Sequence, residues 1–306
     1  MYERVNLMAN RSRLSIAKPK IEGVFNDNKT KIYSLTELHT IFSMNRRDWF
    51  LAQSTTAKEF IEYLINRSKL SKIVLDFPSK PAVRFLWGEE TPNLIFDIAL
   101  SLAKNSYLSH YTAMFINGLT EQIPKNIYIT VEQGPKSSRG ELSQENIDEA
   151  FKKPPRLSSN IARYKGYKIT LLNGMFTGQN GIVSSINKTG AELRVTNIER
   201  TLIDIAVRPA YSGGIFEVFK AYDLAKDKVS INKLNAYLKK MEFIYPYNQV
   251  IGFYLDKAGY QENRTKLLQR ENLKYDFYLT HEMKDVKYSK KWRLFYPKAI
   301  VNMKKD

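Results

Sequence analysis

Ser71–Gly88, "SKIVLDFPSKPAVRFLWG", decides how the first third of the chain is read. "SKIVLDF" (71–77) and "VRFLWG" (83–88) are rich in β-branched and aromatic residues, and "PSKPA" between them has the composition of a turn. The stretch reads as a two-stranded hairpin. Three helical segments precede it. "AKEFIEYLINR" opens on Thr56 with Glu59 three residues later, a capping-box pair. It sets Phe60, Tyr63 and Leu64 on one side and Lys58, Glu62 and Arg67 on the other. "NRRDWFLAQ" (45–53) reads as a short helix before it. Ser34 with Glu37 makes a second capping box, ahead of Leu38, Ile41 and Phe42 on one face.

Three short helices followed by a hairpin is the order of a winged helix-turn-helix. In that architecture the third helix enters the major groove and the hairpin wing touches the phosphate backbone. The candidate DNA-binding residues are Lys58, Arg67, Lys69 and Lys72 on or just after the third helix, Lys80 and Arg84 on the wing, and Arg46 and Arg47 opening the second helix. Helix-plus-hairpin units also mediate protein contacts, and any one of these side chains is as well explained by a solvated surface. Residues 1–30 show no sustained period and read as a basic arm. The expected organisation is therefore an arm at 1–30, a winged helix-turn-helix at 31–90 and a larger region at 91–306.

Charge supports a polyanionic partner. The chain of 306 residues carries 48 Lys and Arg against 31 Asp and Glu, a formal net charge of +17. Residues 1–90 contribute 15 basic and 10 acidic side chains, 91–225 contribute 15 and 12, and 226–306 contribute 18 and 9. Such a surface attracts nucleic acid, because neutralising phosphates releases condensed counterions. A lysine-rich solvated surface encoded by an AT-rich genome explains the same excess. No apolar run approaches the roughly 18–20 residues a bilayer span needs, and no helix has one strongly basic face, so no membrane partner is expected. The first twenty residues lack the apolar core of a secretory signal, and the absence of cysteine fits a reducing cytoplasm.

From "GEETP" (88–92) onward the pattern is mixed α+β. "IFDIALSLAKN" reads as a buried helix, and Ser109 as the cap of another ending at Gly118. "NIYITV", "YKGYKITLL", "GIVSSI" and "AELRVT" read as strands, with a polar excursion over 133–160 holding one short helix near 146–151. "NIERTLIDIAV" is a strong helix stopped by Pro209, three further helices follow, and "LKYDFYLT" and "KKWRLFYP" close the chain as strands.

Catalytic signatures are sparse. Only His39, His110 and His281 offer imidazole, and no H-x-x-x-H pair exists. Ser109 and His110 are adjacent; on a helix such neighbours point about 100° apart, which argues against a Ser-His pair. Arg200 and Asp204 stand at i,i+4, the spacing of a structural ion pair. Asp276 and Glu132 are strand carboxylates, but no tight D…E-x-K set that would hold Mg²⁺ stands out, and the glycines form no P-loop. No cofactor or metal is expected, and no enzyme.

Taken together, four stretches resemble AbiEi-type antitoxins over about residues 31–300: "YLSHYTAMFINGLTEQIPKNIYITVEQ", "VTNIERTLIDIAVRPAYSGGIFEVFKAY", "VIGFYLDKAG" and "KKWRLFYP". The resemblance implies a type IV toxin–antitoxin system of bacterial phage defence (abortive infection). It implies an N-terminal winged helix that binds inverted repeats in its own promoter and represses transcription of the operon. It also implies a C-terminal domain that counters a nucleotidyltransferase-like toxin without a stable complex, in the cytoplasm. The alternative from another class is a metal-dependent nucleic-acid-processing enzyme whose winged helix delivers substrate.

Overall fold

The computed structural model describes residues 12–91, 93–135, 141–186, 192–269 and 273–302. The chain divides into two compact units, one of residues 1–102 with 186–191 and one of 103–185 with 192–306. Both combine helices and sheets, so the fold is α+β.

The first unit begins with a helix that the sequence conceals. α1 (Arg13–Asp27) takes up half of the stretch expected to be an arm; residues 1–11 lie outside the described part. The Ser12 hydroxyl accepts the Ser15 N–H at 3.2 Å, and Ala17, Ile21 and Phe25, spaced by four, are buried on one face. Pro19 lies inside the helix, where the lost hydrogen bond and ring clash cost roughly 3 kcal/mol. The burial of Ile21 and Phe25 offsets that cost at about 1.5–3 kcal/mol each.

β1 (Ile32–Tyr33) leads into α2 (Leu35–Asn45) through the expected capping box. The Glu37 N–H donates to Ser34 Oγ at 3.2 Å, and the Ser34 N–H donates back to the Glu37 carboxylate at 2.6 Å. The second helix expected over 45–53 does not form: Asn45 ends α2 and residues 46–50 make a tight turn. The Leu51 N–H donates to the Arg46 carbonyl, Phe50 takes a left-handed φ of 52°, and Trp49 is thereby turned into the core. Burying that indole outweighs helix continuation. α3 (Ala57–Arg67) carries the second capping box, Thr56 with Glu59. β2 (Leu70–Leu75) and β3 (Ala82–Trp87) form the expected hairpin, and β1 pairs with the far side of β3, giving the order β1-β3-β2. Phe25 stacks on Trp87 at 4.5 Å between ring centroids, and Phe60 on Trp49 at 5.4 Å. α4 (Leu94–Ser101), read from sequence as the start of the larger region, falls in this unit.

The second unit is built on a six-stranded sheet of β4 (Tyr107–Leu108), β5 (Asn126–Glu132), β6 (Ile161–Tyr164), β7 (Tyr167–Gly174), β8 (Ile182–Ile186) and β9 (Glu192–Thr196). Its order is β6-β7-β5-β4-β9-β8, with β5 parallel to β7 and β4 parallel to β9. α5 (His110–Ile116) follows β4, and α6 (Gln144–Lys152) interrupts the polar excursion. α7 (Ile198–Val207) ends just before Pro209, as expected. α8 (Ile215–Leu224), α9 (Ile231–Met241), α10 (Tyr247–Lys257) and α11 (Glu262–Gln269) complete a helical layer. Leu202, Ile203, Val218, Leu234, Val250 and Ile251 are buried within it. A second sheet, β10 (Phe277–Tyr278), β11 (Val286–Ser289) and β12 (Leu294–Pro297), closes the chain. There Trp292 lies so close to Gly252 that a Cβ would sit 2.2 Å from its ring, which is why α10 carries glycine at that position.

Candidate functional site

The basic side chains singled out in the first unit fall into two groups. Arg47, Lys58, Arg67, Lys69, Lys72 and Lys80 are exposed. Lys58 and Arg67 sit on α3, Lys69 just after it, Lys72 on the solvent side of β2, and Lys80 in the hairpin turn. α3 also carries Glu59, held by the capping box, and Glu62, 4.0 Å from Lys58. The helix itself is therefore charge-balanced, and the uncompensated positive charge lies after it and on the hairpin.

Arg46 and Arg84 are placed otherwise than expected. Arg46 is half-buried; it donates to the Ala52 carbonyl at 2.6 Å and stands 5.7 Å from the Phe42 ring centroid, so it braces the turn after α2. Arg84 is half-buried and donates to the carbonyls of Val83 at 2.7 Å and Ser101 at 2.9 Å. Carbonyls at the end of a helix lack intrahelical donors, and a guanidinium supplies several. Burial pulls the Arg84 guanidinium below the usual arginine value, with the Glu37 carboxylate opposing. Arg84 is thus a helix cap of α4, not a free phosphate contact.

The second unit holds a buried polar cluster around "SHYTA". Ser109 follows β4 in extended geometry, and His110, the first residue of α5, adopts a φ of 50°. This sharp strand-to-helix turn overrides the helical angle between neighbours, and His110 Nδ1 lies 3.0 Å from Ser109 Oγ. The pair judged geometrically excluded is therefore present. Ser109 makes no side-chain cap; its hydroxyl also lies 2.7 Å from Thr130 Oγ1. Ser109 is fully buried, which denies it to an attacking nucleophile's role, while the strained φ marks a position fixed by its surroundings.

Beside it, Arg200 is the hub of a network. Its Nε donates to Asp204 at 2.8 Å, the i,i+4 pair expected from sequence. Its Nη1 donates to Thr177 Oγ1 at 3.0 Å and the Asn180 carbonyl at 2.6 Å, and its Nη2 to the Tyr107 hydroxyl at 3.2 Å. The Glu132 carboxylate stands 4.0 Å away. Burial works against the Arg200 charge, and Asp204, Tyr107 and Glu132 together more than compensate, so its proton affinity rises above the usual arginine value. Gly181 packs so closely that a Cβ would lie 2.6 Å from the Arg200 side chain. Thr177, Asn180 and Gly181 were not legible as partners, because their roles depend on a loop meeting α7 across about twenty residues. Among the described residues, no group of three or more His, Asp or Glu stands close enough to hold a metal ion.

No family model and no curated protein matches this sequence. Its fold resembles a mycobacterial one. The crystal structure of the Rv2827c protein from Mycobacterium tuberculosis aligns over 91% of this chain and 90% of that chain, with a TM-score of 0.56 and 15% sequence identity. At that identity the likeness is one of fold. No helix among the described residues is long and apolar enough to cross a membrane.

Proposed function

We propose that this chain is a DNA-binding antitoxin of the AbiEi type, a cytoplasmic transcriptional autorepressor that counters a nucleotidyltransferase-like toxin without forming a stable complex with it. The observation that carries the DNA-binding half is the order helix–strand–helix–helix–strand–strand in the first unit, with β1 closing on β3. That order matches the connectivity of a winged helix-turn-helix and supports the reading of α3 as a recognition helix and the β2–β3 hairpin as a wing. Lys69, Lys72 and Lys80 stand free of carboxylate partners among the described residues, as phosphate contacts require. The antitoxin half rests on the sequence resemblance in the second unit.

The test is a fluorescence-anisotropy titration of the full chain against the DNA upstream of its gene and against a scrambled duplex, at two salt concentrations. A preference of about a thousandfold or more, with affinity falling steeply as salt rises, is the expected result. Equal and weak binding to both duplexes would overturn autorepression. Co-expression with the neighbouring toxin gene tests the antitoxin half separately, by rescue of growth.

A further inference from the structure

A cavity of about 270 Å³ in the second unit joins the polar cluster to an apolar wall. Its lining includes the polar His110, Thr130 and Arg208 and the less polar Met241, Phe243 and Tyr245. Two polar groups of its lining have no hydrogen-bonding partner among the described residues. His110 is 7% exposed, its Nδ1 is engaged with Ser109, and its Nε2 meets no hydrogen-bonding partner among the described residues. Burial first, then the charges of Arg208 and Arg200, hold the imidazole neutral by lowering its pKa to about 3. When Thr130 donates to Ser109 and Ser109 to Nδ1, the remaining proton sits on Nε2, which becomes a donor.

Arg208 differs from Arg200. Arg200 is consumed by Asp204, whereas Arg208, at the end of α7, is exposed and forms no ion pair among the described residues. Its guanidinium stands 5.9 Å from the Tyr211 ring centroid, and Tyr211 in turn packs edge-on against His110 at 5.4 Å. An unpaired guanidinium and a neutral N–H donor thus share one cavity with aromatic and thioether side chains. The volume lies near the lower end of the roughly 300–1,000 Å³ typical of ligand sites, which restricts the occupant to a small molecule.

We propose that this cavity binds a small organic anion, a carboxylate or phosphate carried on a planar apolar body. The anionic group bridges Arg208 and His110 Nε2, and the body lies against Met241, Phe243 and Tyr245. This role is separate from DNA binding, which belongs to the other unit, and stands or falls without it.

The probes are 4-fluorobenzoate, 4-fluorophenyl phosphate and the neutral 4-fluorobenzamide, each titrated into the full chain and followed by ¹⁹F NMR line width. Binding of at least one anion is expected, with the amide at least tenfold weaker; comparison of the two anions decides between carboxylate and phosphate. Arg208→Gln is expected to weaken the anion at least tenfold, and Arg208→Lys to retain most of the binding. Val207→Phe, which fills the cavity from α7, is expected to abolish it, and thus separates the cavity from the exposed lysines. Circular dichroism checks each variant's fold, and the wild-type preference for anion over amide is decisive even where a variant does not fold. The proposal is overturned if neither anion broadens at millimolar concentration, if the amide binds equally well, or if the folded Arg208→Gln and Val207→Phe proteins bind like the wild type.

Discussion

Arg67 and Arg200 carry the same guanidinium in opposite surroundings. Arg67 ends α3 in solvent, whereas the Arg200 side chain is 4% exposed and every direction around it is occupied by a carboxylate, a hydroxyl or a carbonyl. The difference runs through the two units. Apart from the half-buried Arg46 and Arg84, the first keeps the basic side chains singled out above at its surface, and the second folds around one. Net charge is therefore a poor guide to what a basic residue does here; solvation decides.

The sharpest way to break this comparison is to truncate both arginines. Arg200→Ala strands Asp204 and Glu132 in the interior without their cation and is expected to cost about 3–5 kcal/mol of stability. Urea unfolding followed by near-ultraviolet circular dichroism measures it, and a loss below about 1 kcal/mol would show that the network is not what holds this region.

A second test uses pH. The buried neutral His110 has a folded pKa of about 3 against roughly 6.5 unfolded, so the unfolded chain binds the extra proton. Its contribution is fully present above pH 6.5 and is lost as the pH falls toward the folded value. Between pH 7.5 and pH 5 the wild type is expected to lose about 2 kcal/mol more than His110→Gln. Parallel slopes for the two proteins would contradict the burial of that imidazole.

Smaller effects belong to the first unit. Thr56→Ala removes one half of the α3 capping box and is expected to cost about 1 kcal/mol by thermal denaturation, with Thr56→Ser restoring most of it. Arg67→Ala is expected to change stability by no more than about 0.5 kcal/mol. Lys72→Gln should be equally silent in stability while, on the proposed DNA-binding reading, lowering DNA affinity and reducing the salt slope by about one. A large stability loss from either would move these residues into the class of Arg200.

What the sequence reveals follows the same division between local and distant interactions. The capping boxes at Ser34 and Thr56 and the Arg200–Asp204 pair were legible because each is settled within four residues, and the hairpin at 70–87 because its strands are joined by one short turn. α1 was not, since only three residues at four-residue spacing mark its buried face and Pro19 and the lysines obscure them. The turn at 46–50 was missed because Trp49 serves a distant core in preference to its own helix. The Ser109–His110 contact was misjudged by assuming helical angles where the backbone still turns out of a strand. Arg84 looked like any wing cation until α4 offered it carbonyls seventeen residues away.

The parallel pairing of β5 with β7 has a consequence for how the chain acquires its structure over time. Asn126 must find Lys168, and six further pairs follow in register, before that part of the sheet exists, whereas Leu75 meets Ala82 across one short turn. Closing the longer loop demands more ordering before any contact rewards it, and folding slows as such separations grow. On a ribosome the β2–β3 hairpin emerges with its pairing already within reach, so it forms ahead of the β5–β7 pair. A nascent chain would then own its exposed lysines before it owns its buried arginine.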